Sequence, residues 1–391
     1  MKFELKNICD LINEKISANE LINNNLASTY VSTESMLPNK RGITKPSSIP
    51  SKGTTTAYKK DDVLVSNIRP YFKKIWSANY DGVCSNDVLV FRAKNTADAN
   101  FLYYVLANDD FFVYSMATSK GTKMPRGDKA SIMKYEVESF DLNTQRKIAS
   151  ILKPIDKKIE LNNAINNNLE QQAQAIFKSW FIDFEPFNKT RPSDWTIGTI
   201  DDLAKEVVCG KTPSTKKAEY YGSNIPFITI PDMHGKTYAV TTERYLSKLG
   251  ANSQVKKSLP KNSICVSCIG TAGLVTLVAE ESQTNQQINS IIPKDGFSPY
   301  YIYLLMQTLS DTINKLGQSG STIVNLNKSQ FGKIQVIIPA LSVMIKFDKI
   351  VFPMFEKMLQ NQMENLKLTS LRDALLPRLM SGELDVSDIE I

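Results

Sequence analysis

The chain repeats itself, and this repeat constrains the fold more than any other feature of the sequence. Pro353 follows Pro154 by 199 positions (353 − 154), and Tyr300 follows Phe101 by the same interval. The two copies align without a gap from about residue 101 to residue 177 of the first copy. Two copies are too few for a solenoid, so the repeat predicts two similar domains in a two-fold arrangement.

Each copy has the same order of elements. A mixed region of short strands, turns and basic loops comes first, at about 1–142 and 195–338. β-branched runs such as VLVSNI and IQVIIP, separated by Gly, Pro, Asn and Ser, predict the strands. A long helix follows in each copy, predicted from about Thr144 to Phe181 and from about Ser342 to Met380.

Both helical segments carry apolar residues at spacings of three and four, which is typical of helices that pack along a seam. The first stripe is Ile148, Ile151, Ile155, Ile159, Ile165, Leu169, Ala173, Ile176 and Trp180, and the second includes Phe347, Ile350, Met354, Met358, Leu368, Leu371 and Leu375. Each helix has a polar middle, at Asn162 and around Asn361 and Gln362. The helices either lie on their own domains or pair with each other. Their matching features favour pairing, and a two-fold relation would make the pair antiparallel.

The two prolines have two interpretations. Pro154 and Pro353 lie about ten residues inside the predicted helices, where an interior proline kinks a helix. The alternative is that the coil helix begins at the proline, which then occupies the first helical position. Both interpretations place a hinge between the globular region and the paired helices.

Composition bounds the class of protein. The 391 residues are enough for two or three domains, and no apolar run reaches the ~18 residues that cross a bilayer. The start, MKFELKNICDLINEK, has no apolar signal core, so a cytoplasmic location without membrane contact is expected. Five scattered cysteines are no disulfide framework. The net charge of +7 is compatible with binding a polyanion.

Motifs for catalysis are sparse. His234 is the single histidine, and a lone loop histidine is more typical of a surface residue than of a catalytic group. Cys265-x-x-Cys268 has no second cysteine pair to complete a zinc site, and its repeat partner Leu64 indicates that Cys265 is a core residue of a strand. The sequence contains neither a G-x-x-x-x-G-K-[ST] phosphate loop nor the N-P-P-[YF] motif of amino-methyltransferases.

Three segments resemble the specificity subunits of type I restriction–modification enzymes. AIFKSWFIDFEPF at 175–187 and LLPRLMSGELDV at 375–386 are similar to the segments that close the conserved helical regions of that family. GSTIVNLNKSQFGKIQVIIPALSVMIKF at 320–347 is similar to the segment that leads into such a helix. With the duplicated layout, the resemblance covers essentially the whole chain.

The resemblance implies an α+β fold in which two similar target recognition domains, in a pseudo-two-fold arrangement, are joined by two long helices that form an antiparallel coiled coil. The expected segments are domain 1 at 1–142, a central helix at 143–187, domain 2 at 188–339, a C-terminal helix at 340–382 and a tail at 383–391. Each domain would recognise one half of a bipartite site in double-stranded DNA.

The resemblance also implies partners. The helices would set the spacing of the half-sites and dock two methyltransferase subunits, and motor-nuclease subunits would join that core. S-adenosylmethionine, ATP and Mg²⁺ are expected in those partners, with no cofactor or metal in this chain. The chain itself is expected to be non-catalytic.

Candidate contact residues follow from residue type and position. Basic loop residues would neutralise phosphates, while arginine reads guanine and amide side chains read adenine. The DNA-binding candidates are Arg69, Lys73, Lys74, Lys123, Arg126, Lys211, Lys216, Lys217, Gln286, Gln287 and Asn289. The methyltransferase-docking candidates are apolar residues beyond the needs of a two-helix seam, namely Phe177, Trp180, Phe181, Leu375, Leu376 and Leu379.

One departure from the repeat bears on the loops. Gly127 and Asp128 stand where the second copy has Leu326 and Asn327, so the first copy loses an apolar anchor and gains charge. The resemblance therefore says less about the loop geometry of the first copy.

Two other classes of function stay open at this point. The chain could be a nuclease or methyltransferase in its own right, against which the missing motifs count. It could also be a coiled-coil scaffold without a DNA role, which salt-dependent and sequence-selective DNA binding would exclude.

Overall fold

The computed structural model describes residues 2–23, 26–318 and 324–389. Its contacts divide the chain into two compact units, one of Met1–Lys158 with Leu368–Ile391 and one of Ile159–Lys367. Each unit contains one globular domain together with part of both long helices. The domain boundaries expected from the sequence follow chain order rather than contacts, and they stay a prediction.

In its described residues, the globular part of unit 1 consists of ten strands and four short α-helices. In chain order the strands are β1 (Lys2–Glu4), β2 (Cys9–Ile12), β3 (Lys15–Ser17), β4 (Tyr30–Val31), β5 (Thr54–Tyr58), β6 (Val63–Ser66), β7 (Ile75–Ser77), β8 (Gly82–Cys84), β9 (Val88–Ala93) and β10 (Glu136–Glu138). The helices are α1 (Ala18–Asn23), α2 (Ala99–Ala107), α3 (Asp109–Ala117) and α4 (Lys129–Ile132). The first long helix, α5, is Leu142–Phe181.

The globular part of unit 2 follows the same plan. Its strands are β11 (Thr196–Thr199), β12 (Ala204–Cys209), β13 (Tyr221–Ile228), β14 (Tyr238–Ala239), β15 (Tyr245–Leu246), β16 (Ile264–Ser267), β17 (Val275–Val278), β18 (Gln283–Thr284), β19 (Ile288–Pro293) and β20 (Gln335–Ile338). Its helices are α6 (Ile200–Leu203), α7 (Ile230–Met233), α8 (Lys248–Asn252), α9 (Pro299–Thr308), α10 (Ser310–Gly317) and α11 (Lys328–Gly332). The second long helix, α12, is Leu341–Met380.

The sheets of the two units correspond. The main sheet of unit 1 has the order β2-β9-β6-β7, and that of unit 2 has the order β12-β19-β16-β17 with β14 added in parallel at the edge. A second sheet follows in each, with the order β3-β5-β8-β4 in unit 1 and β15-β13-β18 in unit 2. In both units the first strand pairs antiparallel with the last one before the long helix, β1 with β10 and β11 with β20. The predicted duplication and α+β class are confirmed.

Local sequence explains why matching helices begin where they do. The Asp98 carboxylate accepts hydrogen bonds from the backbone N–H groups of Asn100 and Phe101 at the start of α2. At the start of the corresponding helix, Ser298 caps α9 by accepting from the Tyr301 N–H, and Pro299 follows in the first turn. Both caps satisfy backbone donors that a helix start leaves free. The aromatic faces of α2 and α9 then pack into the cores of their units.

The two long helices have identical lengths. Each has 40 residues, and both ends of α12 lie 199 positions after those of α5 (341 − 142 and 380 − 181). Pro154 and Pro353 lie inside these helices, so the alternative in which a helix begins at its proline is wrong. No helix among the described residues is long and apolar enough to cross a membrane.

Within each unit the long helices pack in opposite directions. In unit 1, Ile148 and Leu152 near the start of α5 share a core with Leu376 and Leu379 near the end of α12. In unit 2, residues near the end of α5 share a core with residues from the first part of α12, among them Phe177 and Phe347. The predicted antiparallel pairing is therefore confirmed.

Pro154→Ala should stabilise unit 1, because the substitution restores an N–H that can bond to the carbonyl of Ser150. A proline inside a helix lowers the stability of the folded state by ~3 kcal/mol. The same proline restricts the unfolded chain, which offsets up to about 1 kcal/mol of that loss. Pro154 is exposed, so no packing is lost. We expect the free energy of unfolding in urea to rise by about 2 kcal/mol, with little change for the exposed neighbour control Lys153→Ala. A loss of stability in Pro154→Ala would show that the surrounding structure is adapted to the proline.

Candidate nucleic-acid interface

In unit 1 two loops meet at the end of the main sheet. One follows β6 and the other precedes α4. The backbone N–H of Arg69 donates to the carbonyl of Pro125 at 2.8 Å, and Ile68 forms an antiparallel bridge with Arg126. These bonds place the two arginine candidates of the first copy on one surface.

Unit 2 forms the same pair of loops. The N–H of Gly270 donates to the carbonyl of Val324 at 3.0 Å, and Ile269 bridges to Asn325. Asn325 is the repeat partner of Arg126 and lies 199 positions after it (325 − 126). The loop pair is therefore a repeated structural feature that carries different side chains in the two domains. Residues 320–323, which begin the quoted segment 320–347, lie outside the described residues.

The departure at Gly127 leaves this geometry unchanged. Gly127 N–H donates to the carbonyl of Asn67 at 3.2 Å, and in unit 2 Leu326 N–H donates to the carbonyl of Cys268 at 3.0 Å. A Cβ at Gly127 would lie 2.8 Å from Ile132 Cδ1 and 2.9 Å from Asn67 Oδ1, so neighbouring atoms already fill the space of a side chain.

The next residue also has the same role in both copies. The Asp128 carboxylate accepts from Ser131 N–H at the start of α4, and Asn327 accepts from Gln330 N–H at the start of α11. The added charge of the first copy is therefore used as a helix cap.

The basic candidates of unit 1 differ in availability. Lys123 and Arg126 are exposed, and the guanidinium of Arg126 lies 3.2 Å from Asp87. Lys73 contacts the carboxylate of Asp109 at 2.7 Å. Lys74 donates to the carbonyl of Thr33 at 2.6 Å, and burial lowers its pKa. Lys74 therefore mainly supports the loop, whereas Lys123 and Arg126 face solvent.

Among the candidates of unit 2, Gln287 lies beside the loop after β16 and Lys211 lies beside β18. Lys211 N–H donates to the carbonyl of Thr284, and the Gln287 carbonyl accepts from Cys268 N–H at 2.8 Å. The exposed Gln286 accepts from the hydroxyl of Thr212 at 2.7 Å. Lys216 is exposed, and the ammonium of Lys217 lies 4.8 Å from the centre of the Tyr220 ring.

Asn289 is a correction to the list of base-reading candidates. It lies in β19 with 3% of its surface exposed, and its amide donates to the carbonyl of Leu326 at 3.2 Å. A buried amide engaged in this way holds the loop pair together and does not present its edge to a DNA groove. The polar run TNQQINS gave no sign of which residues face inward, because inward and outward positions alternate along a strand.

The docking candidates also need correction. Phe177, Phe181, Leu376 and Leu379 are at most 5% exposed, and Trp180 and Leu375 are half-buried. All six pack in the cores of their own units, as the 4.8 Å ring contact of Phe181 with Tyr301 illustrates. The apolar surplus of the helix ends covers the globular domains, which the helix pattern alone does not reveal.

The seam between the helices has four asparagines at its centre. Asn162 donates to Asn365 Oδ1 at 2.9 Å, and Asn361 donates to Asn166 Oδ1 at 2.8 Å. Asn361 and Asn365 are the repeat partners of Asn162 and Asn166, each 199 positions later (361 − 162 and 365 − 166). Each pair thus joins the two copies crosswise, as two antiparallel helices related by a two-fold axis require.

The predicted stripes are wrong at three positions. Ile165, Ile350 and Leu371 are 41%, 40% and 48% exposed. Asn166 lies in the seam where Ile165 was expected, because its amide hydrogen-bonds across to Asn361 and to the carbonyl of Met358. Specific polar pairs therefore decided the helix rotation where the apolar pattern was ambiguous.

Comparison with known proteins identifies the family. The sequence matches the family model described as "Type I restriction modification DNA specificity domain" twice, over residues 1–171 and 192–367. The chain belongs to this family. It is 36% identical over 402 aligned residues to the HindI specificity subunit of Haemophilus influenzae, covering 84% of this chain and 87% of the relative.

More distant relatives agree. The MjaIX specificity subunit of Methanocaldococcus jannaschii is 27% identical, with 76% of this chain and 71% of the relative covered. The crystal structure of a type I restriction–modification S subunit from M. genitalium has the same fold, with a TM-score of 0.60 at 17% identity. That comparison covers 97% of this chain and 96% of the other. The chain is thus a DNA-specificity subunit of the type I class, the non-catalytic recognition component.

The residues considered for catalysis or metal binding are not assembled into a site. Cys265 is fully buried in β16, as the match to Leu64 predicted, and burial raises its pKa to about 12. His234 is exposed, while Asp232 is buried and accepts from Thr229 and from Glu243 N–H. Among the described residues, no group of three or more His, Cys, Asp or Glu is arranged to hold a metal ion.

Substitutions in the loops of unit 1 should separate positioning from base recognition. Lys123→Ala removes an exposed charge, so DNA binding of the assembled complex should weaken about evenly across sequences. The slope of log affinity against log salt should fall by about one. Arg126→Ala should instead cost about 1–3 kcal/mol on the preferred duplex and relax one position.

The exposed Lys349→Ala on α12 provides the charge-matched control, outside both loop pairs. Titrations at several salt concentrations would measure both effects. Wild-type affinity and selectivity in both loop variants would remove this surface from the DNA interface.

Proposed function

We propose that each globular domain recognises one half of a bipartite DNA site and that the paired helices set the distance between the halves. The observation that carries the proposal is the loop pair, present in both units with the same backbone bonds, Arg69 to Pro125 and Gly270 to Val324. The scaffold is the same and the exposed side chains differ, so the two half-sites would have different sequences. Binding of one domain makes the second contact effectively intramolecular.

The loops provide both kinds of DNA contact. Lys123 in unit 1 and Lys211, Lys216 and Lys217 in unit 2 would neutralise phosphates and set the register. Arg126 would read a base edge in one half-site, and the exposed amide of Gln286 would do so in the other. Asp87 holds the Arg126 guanidinium at 3.2 Å, so it orients this side chain before DNA arrives.

Methyltransferase subunits would dock on exposed apolar residues of the helix pair. Leu341, Ile345, Phe352 and Met363 are 48–52% exposed on α12. At 100° per residue they lie within about 40° of one another around the helix, so they form one stripe. An exposed apolar stripe of this kind marks an interaction surface. S-adenosylmethionine, ATP and Mg²⁺ would then be bound by partner subunits, the last two by motor-nuclease subunits.

A matched pair of substitutions tests this docking stripe. Ile345→Ser removes an exposed side chain, so the lone chain should unfold as wild type while its affinity for the methyltransferase falls. Phe181→Ala empties a packed core position and should lower the free energy of unfolding by about 3–5 kcal/mol. Calorimetric unfolding and copurification with the methyltransferase would measure the two effects. Full methyltransferase binding by Ile345→Ser would place the docking surface elsewhere.

The spacing role is tested by lengthening both helices together. Seven residues inserted after Lys158 and seven after Lys367 enter the helices at nearly opposite points, because Asn162 faces Asn365. Both insertions fall at the boundary between the two units. One heptad adds about 10 Å of helix and preserves the seam pattern. Since base pairs are stacked about 3.4 Å apart, the gap between half-sites should grow by up to about three base pairs.

Sequencing of duplexes that the complex selects from a randomised pool would measure the gap and both half-sites. The same seven residues inserted after Gly382, beyond the end of α12, are the control and should leave the gap unchanged. Unaltered spacing in the double insertion would refute the spacing role. Selection of a single undivided sequence by the wild-type complex would refute the bipartite proposal as a whole.

A further inference from the structure

Unit 1 presents a short exposed turn that the proposed function leaves unexplained. Residues Pro70–Phe72 form a 3₁₀ turn between Arg69 and Lys73, whose φ angles are 51° and 50°. Both flanking residues are therefore in the left-handed region, which side chains with a Cβ rarely adopt. We call residues 69–73 the aromatic turn.

A second loop holds the aromatic turn in place. Asn39 and Lys40 also have positive φ angles, 58° and 60°. The N–H of Asn39 donates to the carbonyl of Phe72 at 2.8 Å, and the N–H of Lys40 donates to the carbonyl of Lys73 at 2.9 Å. Four strained non-glycine residues thus meet in one pair of loops. Strain of this kind persists where the surrounding bonds fix it, and it concentrates at functional sites.

The turn exposes two aromatic rings. Tyr71 is 49% exposed and Phe72 is 37% exposed, with ring centres 4.6 Å apart and planes tilted by 51°. The tilt prevents both rings from entering one planar gap together, so the more exposed Tyr71 is the ring that can enter. Phe72 supports it from behind and has the ammonium of Lys74 5.8 Å from its centre.

The surroundings of the rings are cationic. Lys40 and Lys73 share a single carboxylate, Asp109, at 2.8 Å and 2.7 Å, which leaves one positive charge in excess. A cationic rim around an exposed ring suits a polyanion with stacked bases better than an apolar protein surface.

The second domain has no such rings at the matching positions. Gly270 matches Arg69 in these loops at an offset of 201 (270 − 69), because the copies are not gap-free upstream of residue 101. At this offset Ala272 and Gly273 replace Tyr71 and Phe72 (272 − 71 and 273 − 72). Ala272 is only 8% exposed. The aromatic turn is therefore a property of one domain rather than of the shared scaffold.

We propose that Tyr71 inserts between two adjacent base pairs of the half-site bound by the first domain, with Phe72 as its support and Lys73 on a flanking phosphate. Apolar and aromatic wedges of this kind unstack a base step and kink the duplex. The first half-site then favours a flexible pyrimidine–purine step at the insertion point, without direct hydrogen bonds to its bases. This inference rests on the proposed function of the two domains.

The test places a fluorescent base at each step in turn. The probe is the duplex that the wild-type complex selects from a randomised pool, with 2-aminopurine substituted at successive positions of both half-sites. Insertion unstacks the neighbouring base, so wild-type complex should raise the fluorescence at one step of one half-site. Tyr71→Ala should abolish that rise and weaken binding about tenfold, with an unchanged salt slope because no charge is lost.

Two controls make the outcome decisive. Tyr71→Phe retains the ring and should retain both the fluorescence rise and the affinity. Thermal unfolding of Tyr71→Ala should be close to that of wild type, because the ring is half exposed. Docked methyltransferases also extrude a base from the stack, so the decisive signal is the rise that is lost in Tyr71→Ala. Selective binding by wild type in which no fluorescence rise depends on Tyr71 overturns the inference alone. Failure of wild-type complex to select any bipartite duplex overturns the proposed function and the inference with it.

Discussion

The alignment of the two long helices depends on a small set of buried amides. Asn162 and Asn361 are at most 1% exposed, and each donates across the seam to a partner amide. Two helices with a purely apolar seam can shift past each other by one turn, because each apolar contact is replaced by a similar one. A buried amide without a partner costs about 1–3 kcal/mol, so sliding would leave two such costs uncompensated. The asparagines thereby fix one register, as polar seam residues do in other coiled coils.

In both units the globular domain packs against the long helices through an apolar core, but the polar contacts between domain and helices differ. Tyr104 and its repeat partner Tyr303 each donate a hydroxyl to a carboxylate of α5, Asp156 in unit 1 and Glu170 in unit 2. In unit 1, Arg372 from α12 also contacts Asp156 at 2.9 Å, which joins both helices to the domain. In unit 2 the carboxylate of Glu170 accepts instead from the neutral amide of Gln307. The apolar packing is thus common to both units, whereas each unit has its own polar link between domain and helices.

The proposed recognition surfaces combine a backbone path common to both units with different exposed side chains. The loop after each central strand is held by the same inter-loop bonds, so its path does not depend on the exposed side chains. Arg126 is matched by Asn325, and Tyr71 by Ala272, at equivalent places on that path. Because backbone bonds hold these loops in place, their exposed residues can change without loss of the fold. That division is what a protein with two different half-sites would need.

The sequence alone determined the duplication and the approximate limits of the long helices, because these follow from an interval of 199 residues and from periodicity that local physics enforces. It favoured helix pairing without deciding it, and the α+β class followed from the family resemblance. It also brought Arg69 and Arg126 forward as a pair, since residue type and turn position suffice for that. Only the tertiary structure decided that Asn289, Phe181 and Leu379 face inward, because burial depends on residues distant in the chain. Tertiary structure likewise chose Asn166 over Ile165 for the seam. Helix rotation there depends on a hydrogen bond to Asn361, almost 200 positions away, and no local pattern encodes that bond.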